Sequence, residues 1–158
     1  MDLDLDSFLR MVAAVTCGGA IGLNRDIYGK PTGIRAHALV SLGAALLVVA
    51  VDHAYAGSTH PDAMSRVIQG VIAGIGFLGA GVIVRGATGM QVYHLTTAAS
   101  LWVTTGVGIL CGLGAWKLAA AATILSLAVL VAGLYLDRRL FGLSGRNDDD
   151  RDQNRDQP

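Results

Sequence analysis

Residues Val67–Trp102 read VIQGVIAGIGFLGAGVIVRGATGMQVYHLTTAASLW. From Val67 to Val84 this stretch has 18 residues with no charge and one amide, Gln69. That is the lower end of what crosses a bilayer as a helix. Inside it sit Gly70, Gly74, Gly76, Gly79 and Gly81. In a water-soluble helix each glycine costs roughly 1 kcal/mol against alanine. In a membrane the same residues let neighbouring backbones approach, and packing recovers the cost. At about 100° per residue, Gly70, Gly74 and Gly81 share an arc with Phe77, while Gly76 and Gly79 lie on roughly the other side. A helix notched on two faces is expected to sit between neighbours, as the central post of a helical bundle. Gly74→Leu or Gly79→Leu should then disrupt packing.

The run Gly74–Gly79, GIGFLG, matches G-x-G-x-x-G. Dinucleotide binding needs a preceding strand, a helix opening inside the motif and an acid about 20 residues on. No Asp or Glu occurs between Ala63 and Leu136, so that reading is rejected.

Of the 158 residues, 53% are hydrophobic and 15% charged, against roughly a quarter charged in soluble domains. Many of the charges crowd into the two ends. The composition predicts an all-α, polytopic membrane protein of one domain with about five helices. The net charge of zero leaves no electrostatic footprint for nucleic acid, and no such partner is expected. Cys17 and Cys111 lie in apolar helices without ligand spacing and read as small buried hydrophobes.

Taken in order, residues 1–7 (MDLDLDS) form a short acidic segment, unlike the basic start of a secretory signal. A first helix is expected from about Phe8 to Leu23, with Arg10 placed to pair with Asp6 one turn back or to snorkel. Residues 24–37 (NRDIYGKPTGIRAH) form a basic loop punctuated by Gly29, Pro31 and Gly33. Gly29–Lys30 hints at a phosphate-binding loop, but Asn24 and Pro31 stand where that motif needs Gly and Ser/Thr. A second helix follows from about Ala38 to Ala56. Asp52, His53, His60 and Asp62 are weak metal-ligand candidates. Their spacing meets no metal motif, so an ordinary polar connector is expected, with no metal and no cofactor.

Gly86–Leu95 is a short loop, and a fourth helix runs from Thr96 to about Ala115. There Thr96, Ser100 and Thr104 recur every four residues, continued by Gly108 and Gly112. This stripe suits close helix contact; a polar pathway would use the same residues, but no carboxylate faces it. Trp102 and Trp116 are candidates for membrane anchoring. A fifth helix spans about Leu118–Leu136. The transmembrane domain thus covers 8–142, and 143–158 is a polar tail with little to bury, expected to be disordered. With five spans, nine Lys/Arg fall on the side of the first and third loops and the C-terminus, and three on the other. The N-terminus is therefore expected outside and the C-terminus in the cytoplasm.

The segments Gly22–Asp26 (GLNRD), Gly29–Pro31 (GKP) and Gly33–Arg35 (GIR) resemble the first cytoplasmic loop of the MgtC/SapB family, which reads close to GLERE..GKPAGLRTH.LV. The run GIGFLGAGVIV and the later LTTAASLW resemble its second signature. Together they span most of residues 18–116. The resemblance implies a bacterial inner-membrane protein of about five spans, linked to growth at low magnesium and to survival inside macrophages. It also implies a non-enzymatic regulator acting on the F-type ATP synthase by contact with a membrane subunit. Membrane lipids and a second copy of the chain are the other expected partners. The chain reads as a short form without the ACT-like domain of the virulence branch. Thr96 stands where virulence-associated members have Asn, Val103 where they have Cys, and His94 where Gly is usual. Asn24 and Asp26 replace two glutamates.

The expected functional motif is the cytoplasmic rim: Asn24, Arg25, Asp26, Lys30 and Arg35, facing Thr96 and Thr97. Arg25 and Asp26 also suit a structural ion pair. A small transporter for Mg²⁺ or another cation is the alternative, although the spans offer only Asp52, near an end, and Asp137 at a border. His37 and His94 share a side with Arg25 and Asp26, but nothing at motif spacing supports catalysis.

Overall fold

The computed structural model describes residues 4–56, 61–85 and 92–140. The expectations for His60, for most of the third loop and for the 143–158 tail lie outside these residues. Five helices follow one another: α1 (Leu5–Ile27), α2 (Ile34–Ala54), α3 (Pro61–Val82), α4 (Leu95–Gly112) and α5 (Trp116–Leu140). Between α3 and α4, β1 (Val84–Arg85) pairs antiparallel with β2 (Val92–Tyr93), Val84 opposite Tyr93. All five helices are long and apolar enough to cross a membrane. The fold is the all-α bundle expected from composition.

Several helix ends differ from the sequence reading, and capping explains the larger differences. Helix α1 starts at Leu5, not Phe8, because the Asp4 carboxylate accepts from the Ser7 backbone N–H at 2.9 Å. That bond satisfies one of the four donors a helix start leaves orphaned, and Asp6 adds a favourable charge to the first turn. Helix α2 starts at Ile34, not Ala38. Its own Gly33 has no side chain to cap with, and Asp26 supplies the acceptor instead, 2.9 Å from the Ile34 N–H. Helix α3 opens on Pro61, whose missing N–H costs nothing at a helix start, and ends at Val82. Helix α4 stops at Gly112, ahead of Gly114 at φ 69°. The fifth helix continues to Leu140.

The chain divides into two compact units, residues 1–127 and 128–158. The second contains the last half of α5, where Val129 and Tyr135 are exposed. In the first unit the core lies among α1, α2 and α4, with Ala14, Ile21, Ala45, Val48, Val107 and Cys111 fully or nearly fully covered.

The central post is not α3. A side chain at Gly18 of α1 would stand 2.6 Å from Ser41 Cβ and 2.7 Å from the His37 carbonyl oxygen. At Gly22 it would meet Ile34 Cα at 2.6 Å. From α4, Gly108 abuts the Ser41 backbone and Gly112 would place a Cβ 2.8 Å from Val48 Cβ. Helix α2 is therefore gripped on two sides by glycine faces of its neighbours. On α3, by contrast, a Cβ at Gly70, Gly74, Gly76 or Gly81 meets nothing within 4 Å, and at Gly79 only Ala98 at 3.8 Å. Phe77, on the Gly70–Gly74–Gly81 arc, is 82% exposed. The expected intrachain notches on α3 are corrected accordingly, and with them the expectation that Gly74→Leu must clash. A glycine makes a contact only where the opposing helix presents a small surface at the same depth. Ser41 of α2 does this for α1 and α4, and Ala45 for α4.

Candidate functional site

At one end of the bundle the last turn of α1, the first of α2 and the first of α4 meet. Arg25 is brought there by the close α1–α2 approach at Gly18 and Gly22. Its guanidinium is almost fully buried and donates from Nη2 to Thr97 Oγ1 at 2.6 Å. Thr97 is itself covered, and its carbonyl accepts from the Ser100 hydroxyl at 2.8 Å. His37, with no exposed surface, joins from α2. Its Nδ1 lies 3.1 Å from the Gly33 carbonyl and its Nε2 3.1 Å from Ser100 Oγ. A carbonyl only accepts, so Nδ1 carries the proton. In the neutral ring Nε2 then accepts, and the single Ser100 hydroxyl proton is shared between Nε2 and the Thr97 carbonyl. The cluster ties three helices through one cation, one imidazole and two hydroxyls.

The expected motif is thus brought together in part. Arg25 and Thr97 touch. Asp26 does not pair with Arg25; its carboxylate is spent on the Ile34 N–H and lies against Gly33, where a Cβ would collide with it. Among the described residues no carboxylate lies within ion-pair range of Arg25, and its Nε has no partner. Asn24 is half-buried, and its backbone carbonyl accepts from Tyr28 as α1 ends. Lys30 and Arg35 are exposed on the connecting turn and the first turn of α2. Thr96 is exposed, so it leaves the α4 stripe, whose inward members are Thr97, Ser100, Thr104, Gly108 and Gly112. His37, which the sequence places on this side, and Ser100, from the α4 stripe, complete the site, although neither was counted in the expected motif. Signals for them existed: a histidine four residues into α2 after Gly33, and a serine one turn after Thr97.

At the opposite end Arg10 binds Asp6 at 2.7 Å, Asp52 at 2.8 Å and the Gly112 carbonyl at 3.1 Å. The pairing of Arg10 with Asp6 agrees with the sequence reading. His53 sits 3.4 Å from Ser7 Oγ and 3.0 Å from the Val49 carbonyl. Hydrogen bonds from Ser7 hold the Asp4 carboxyl below the ordinary carboxylate range. Asp52 and His53 are thus engaged with α1, and the described residues bring no three metal-ligating side chains together.

The geometry defines a polytopic α-helical membrane protein whose polar residues stitch α1, α2 and α4 at both ends. A family model for the MgtC family matches residues 11–139, and the chain belongs to that family. Protein MgtC of Salmonella typhimurium is 44% identical over 119 residues, 75% of this chain and 48% of its own length. Protein SrpB of Synechococcus elongatus is 40% identical, covering 77% of this chain and 71% of its own. The putative magnesium transporter YhiD of Escherichia coli is 35% identical, with 84% and 63% covered. The chain therefore spans about half the length of the MgtC proteins it matches. No solved structure matches.

Proposed function

We propose that this chain is a non-enzymatic regulator of the bacterial inner membrane that acts by touching a membrane partner, in the manner expected for MgtC-type proteins. The observation that carries this reading is the closed α1–α2–α4 body. Glycines from two helices stand against the backbone of a third, which leaves the seam between them no room for a solute. Lys30, on the turn after α1, and Arg35, on the first turn of α2, are exposed and offer a basic rim to a partner or to anionic headgroups. With the N-terminus outside, this rim lies on the cytoplasmic side. The partner we assign is a membrane subunit of the F-type ATP synthase, and the setting is growth at low magnesium and intracellular survival.

The test is crosslinking and co-purification from bacterial membranes, beside ATP-driven proton pumping in inverted vesicles. The chain should capture a synthase subunit and lower pumping, and Lys30→Ala with Arg35→Ala should weaken both. Recovery of no membrane partner after crosslinking overturns the reading. The magnesium-transporter name carried by YhiD favours a second reading, a small cation transporter using the Asp52 end. Magnesium flux into liposomes that disappears in Asp52→Asn would establish it instead.

A further inference from the structure

Between α2 and α3 runs an open groove of about 680 Å³. Leu39, Gly43 and Leu47 wall it on α2, and Gly70, Gly74 and Leu78 on α3. Its lining is almost wholly apolar, with one charged side chain, Arg66. Arg66 marks the end nearest the α2–α3 connector, five residues after α3 begins at Pro61. At 1.5 Å per residue, it lies about 8 Å from the helix start, and the groove extends from it for about 18 Å to Leu78. One leaflet of the hydrocarbon core is about 15 Å thick. The groove therefore starts where a long cationic side chain reaches the headgroups by snorkelling, and runs from there past the bilayer midplane, over a length close to that of one extended acyl chain. Its volume is in the range of small-molecule sites, roughly 300–1,000 Å³.

Arg66 is exposed, and among the described residues it has no ion-pair partner. Asp62, one turn nearer the helix start, does not pair with it. A cation at headgroup depth above a dry channel one leaflet long complements one kind of molecule. We infer that the groove is a phospholipid site, with an acyl chain lying along Gly70 and Gly74 and the headgroup phosphate on Arg66.

A second copy of the chain fits this face less well. A two-fold axis along the membrane normal sets residues of equal depth against each other, so Arg66 would meet Arg66. Asp62 lies about 6 Å nearer the surface and cannot neutralise that pair at the same level. Lipid tails are as apolar as the groove wall, so burial alone gives no selectivity. Selectivity has to come from the headgroup charge, and one arginine near an anionic surface is worth about fivefold in binding.

The experiment is native mass spectrometry of the full chain in mild detergent, titrated separately with phosphatidylglycerol and phosphatidylcholine. Wild type should retain one phospholipid per chain and prefer phosphatidylglycerol about fivefold. Arg66→Gln should abolish the preference. Gly74→Leu, placed where a Cβ meets nothing within 4 Å, should fill the channel and lose both lipids while circular dichroism and elution stay unchanged. Retention and preference equal to wild type in both variants overturns the assignment. So does a wild-type dimer that Gly74→Leu converts to monomer, because a second copy then fills the groove.

Discussion

Two glycine-to-alanine substitutions, one on each kind of surface, should move stability in opposite directions. At Gly108 the added Cβ would stand 2.9 Å from both the Cα and the carbonyl carbon of Ser41, and closer still to its oxygen. Carbon–carbon contacts settle at about 3.5–4.0 Å, so α4 must retreat from α2 by roughly 0.6–1.1 Å. Gly112 sits one turn along the same seam, with its own Cβ position 2.8 Å from Val48 Cβ. A retreat at Gly108 therefore loosens Ala44, Ala45 and Val48 together, and a gap of about 0.5–1 Å forfeits a quarter to a half of each dispersion contact. Overpacking costs about 1–3 kcal/mol, while replacing a helical glycine returns about 1 kcal/mol. Gly108→Ala should be less stable than wild type by up to about 2 kcal/mol. At Gly74 nothing lies within 4 Å of the new methyl. Gly74→Ala should therefore keep only the propensity gain, up to about 1 kcal/mol.

Reversible unfolding in mixed micelles, followed by circular dichroism, measures both against wild type. The propensity gain is common to both, so the pair should differ by the overpacking cost of about 1–3 kcal/mol, with Gly108→Ala the weaker. Agreement of the two within about 0.5 kcal/mol, the spread of inert surface changes, would refute the claim that α2 and not α3 is gripped by glycine contacts.

Three further outcomes follow from the same geometry. Thr97→Val keeps the shape of the side chain but strands the buried Arg25 Nη2, so unfolding should be easier by about 2 kcal/mol, the worth of a hydrogen bond to a charged group; no change would mean that Arg25 finds another acceptor. Cys17 on α1 and Cys111 on α4 are free thiols that interact across the α1–α4 contact, so a mild oxidant should join α1 to α4 inside one chain, seen as a gel shift that Cys17→Ser abolishes. Asp4 has its folded-state pKa lowered by Ser7, so its stabilisation is full above the unfolded carboxylate value of about 3.9 and is lost as pH falls through the folded value. Asn caps as well as Asp and does not titrate, so the difference in stability between wild type and Asp4→Asn should narrow or reverse on acidification below about pH 4.

The spans were legible because composition alone forces them. Eighteen uncharged residues after Arg66 have few other folds open to them. What the sequence hid was which helix the others close upon. Glycines mark α1, α3 and α4 alike, and sequence has no way to see that Ser41 and Ala45 of α2 lie opposite Gly108 and Gly112. The number of notches on α3 misled for that reason. The proposed rim was half legible. Arg25 and Thr97 stand 72 residues apart and meet, as expected of a rim facing Thr97. The alternative of a structural Arg25–Asp26 ion pair does not form, because helix capping competes for a short carboxylate at a turn and here wins. His94 shows a different kind of legibility. Its backbone is left-handed, at φ 65°, and glycine takes up that conformation without strain. The family's usual Gly at this place is a backbone requirement that the resemblance contained without explaining.

Two arginines, Arg25 buried and Arg10 partly buried, make the architecture more than a packing arrangement. Arg10 fixes α1 to Asp52 of α2 and to the Gly112 carbonyl of α4, and Arg25 fixes α1 to Thr97 of α4. They lie 15 residues apart on one helix, about 22 Å along its axis. Charged groups within a membrane are costly and persist where they are bound by partners. Here they are bound at both ends of the same three helices, with glycine contacts between. That leaves α1, α2 and α4 few ways to move against one another. Helix α3 lacks both devices: its glycines are open, and its one described cation is unpaired. A body stitched on one side and open on the other is suited to binding at its open face, and the α2–α3 groove lies there.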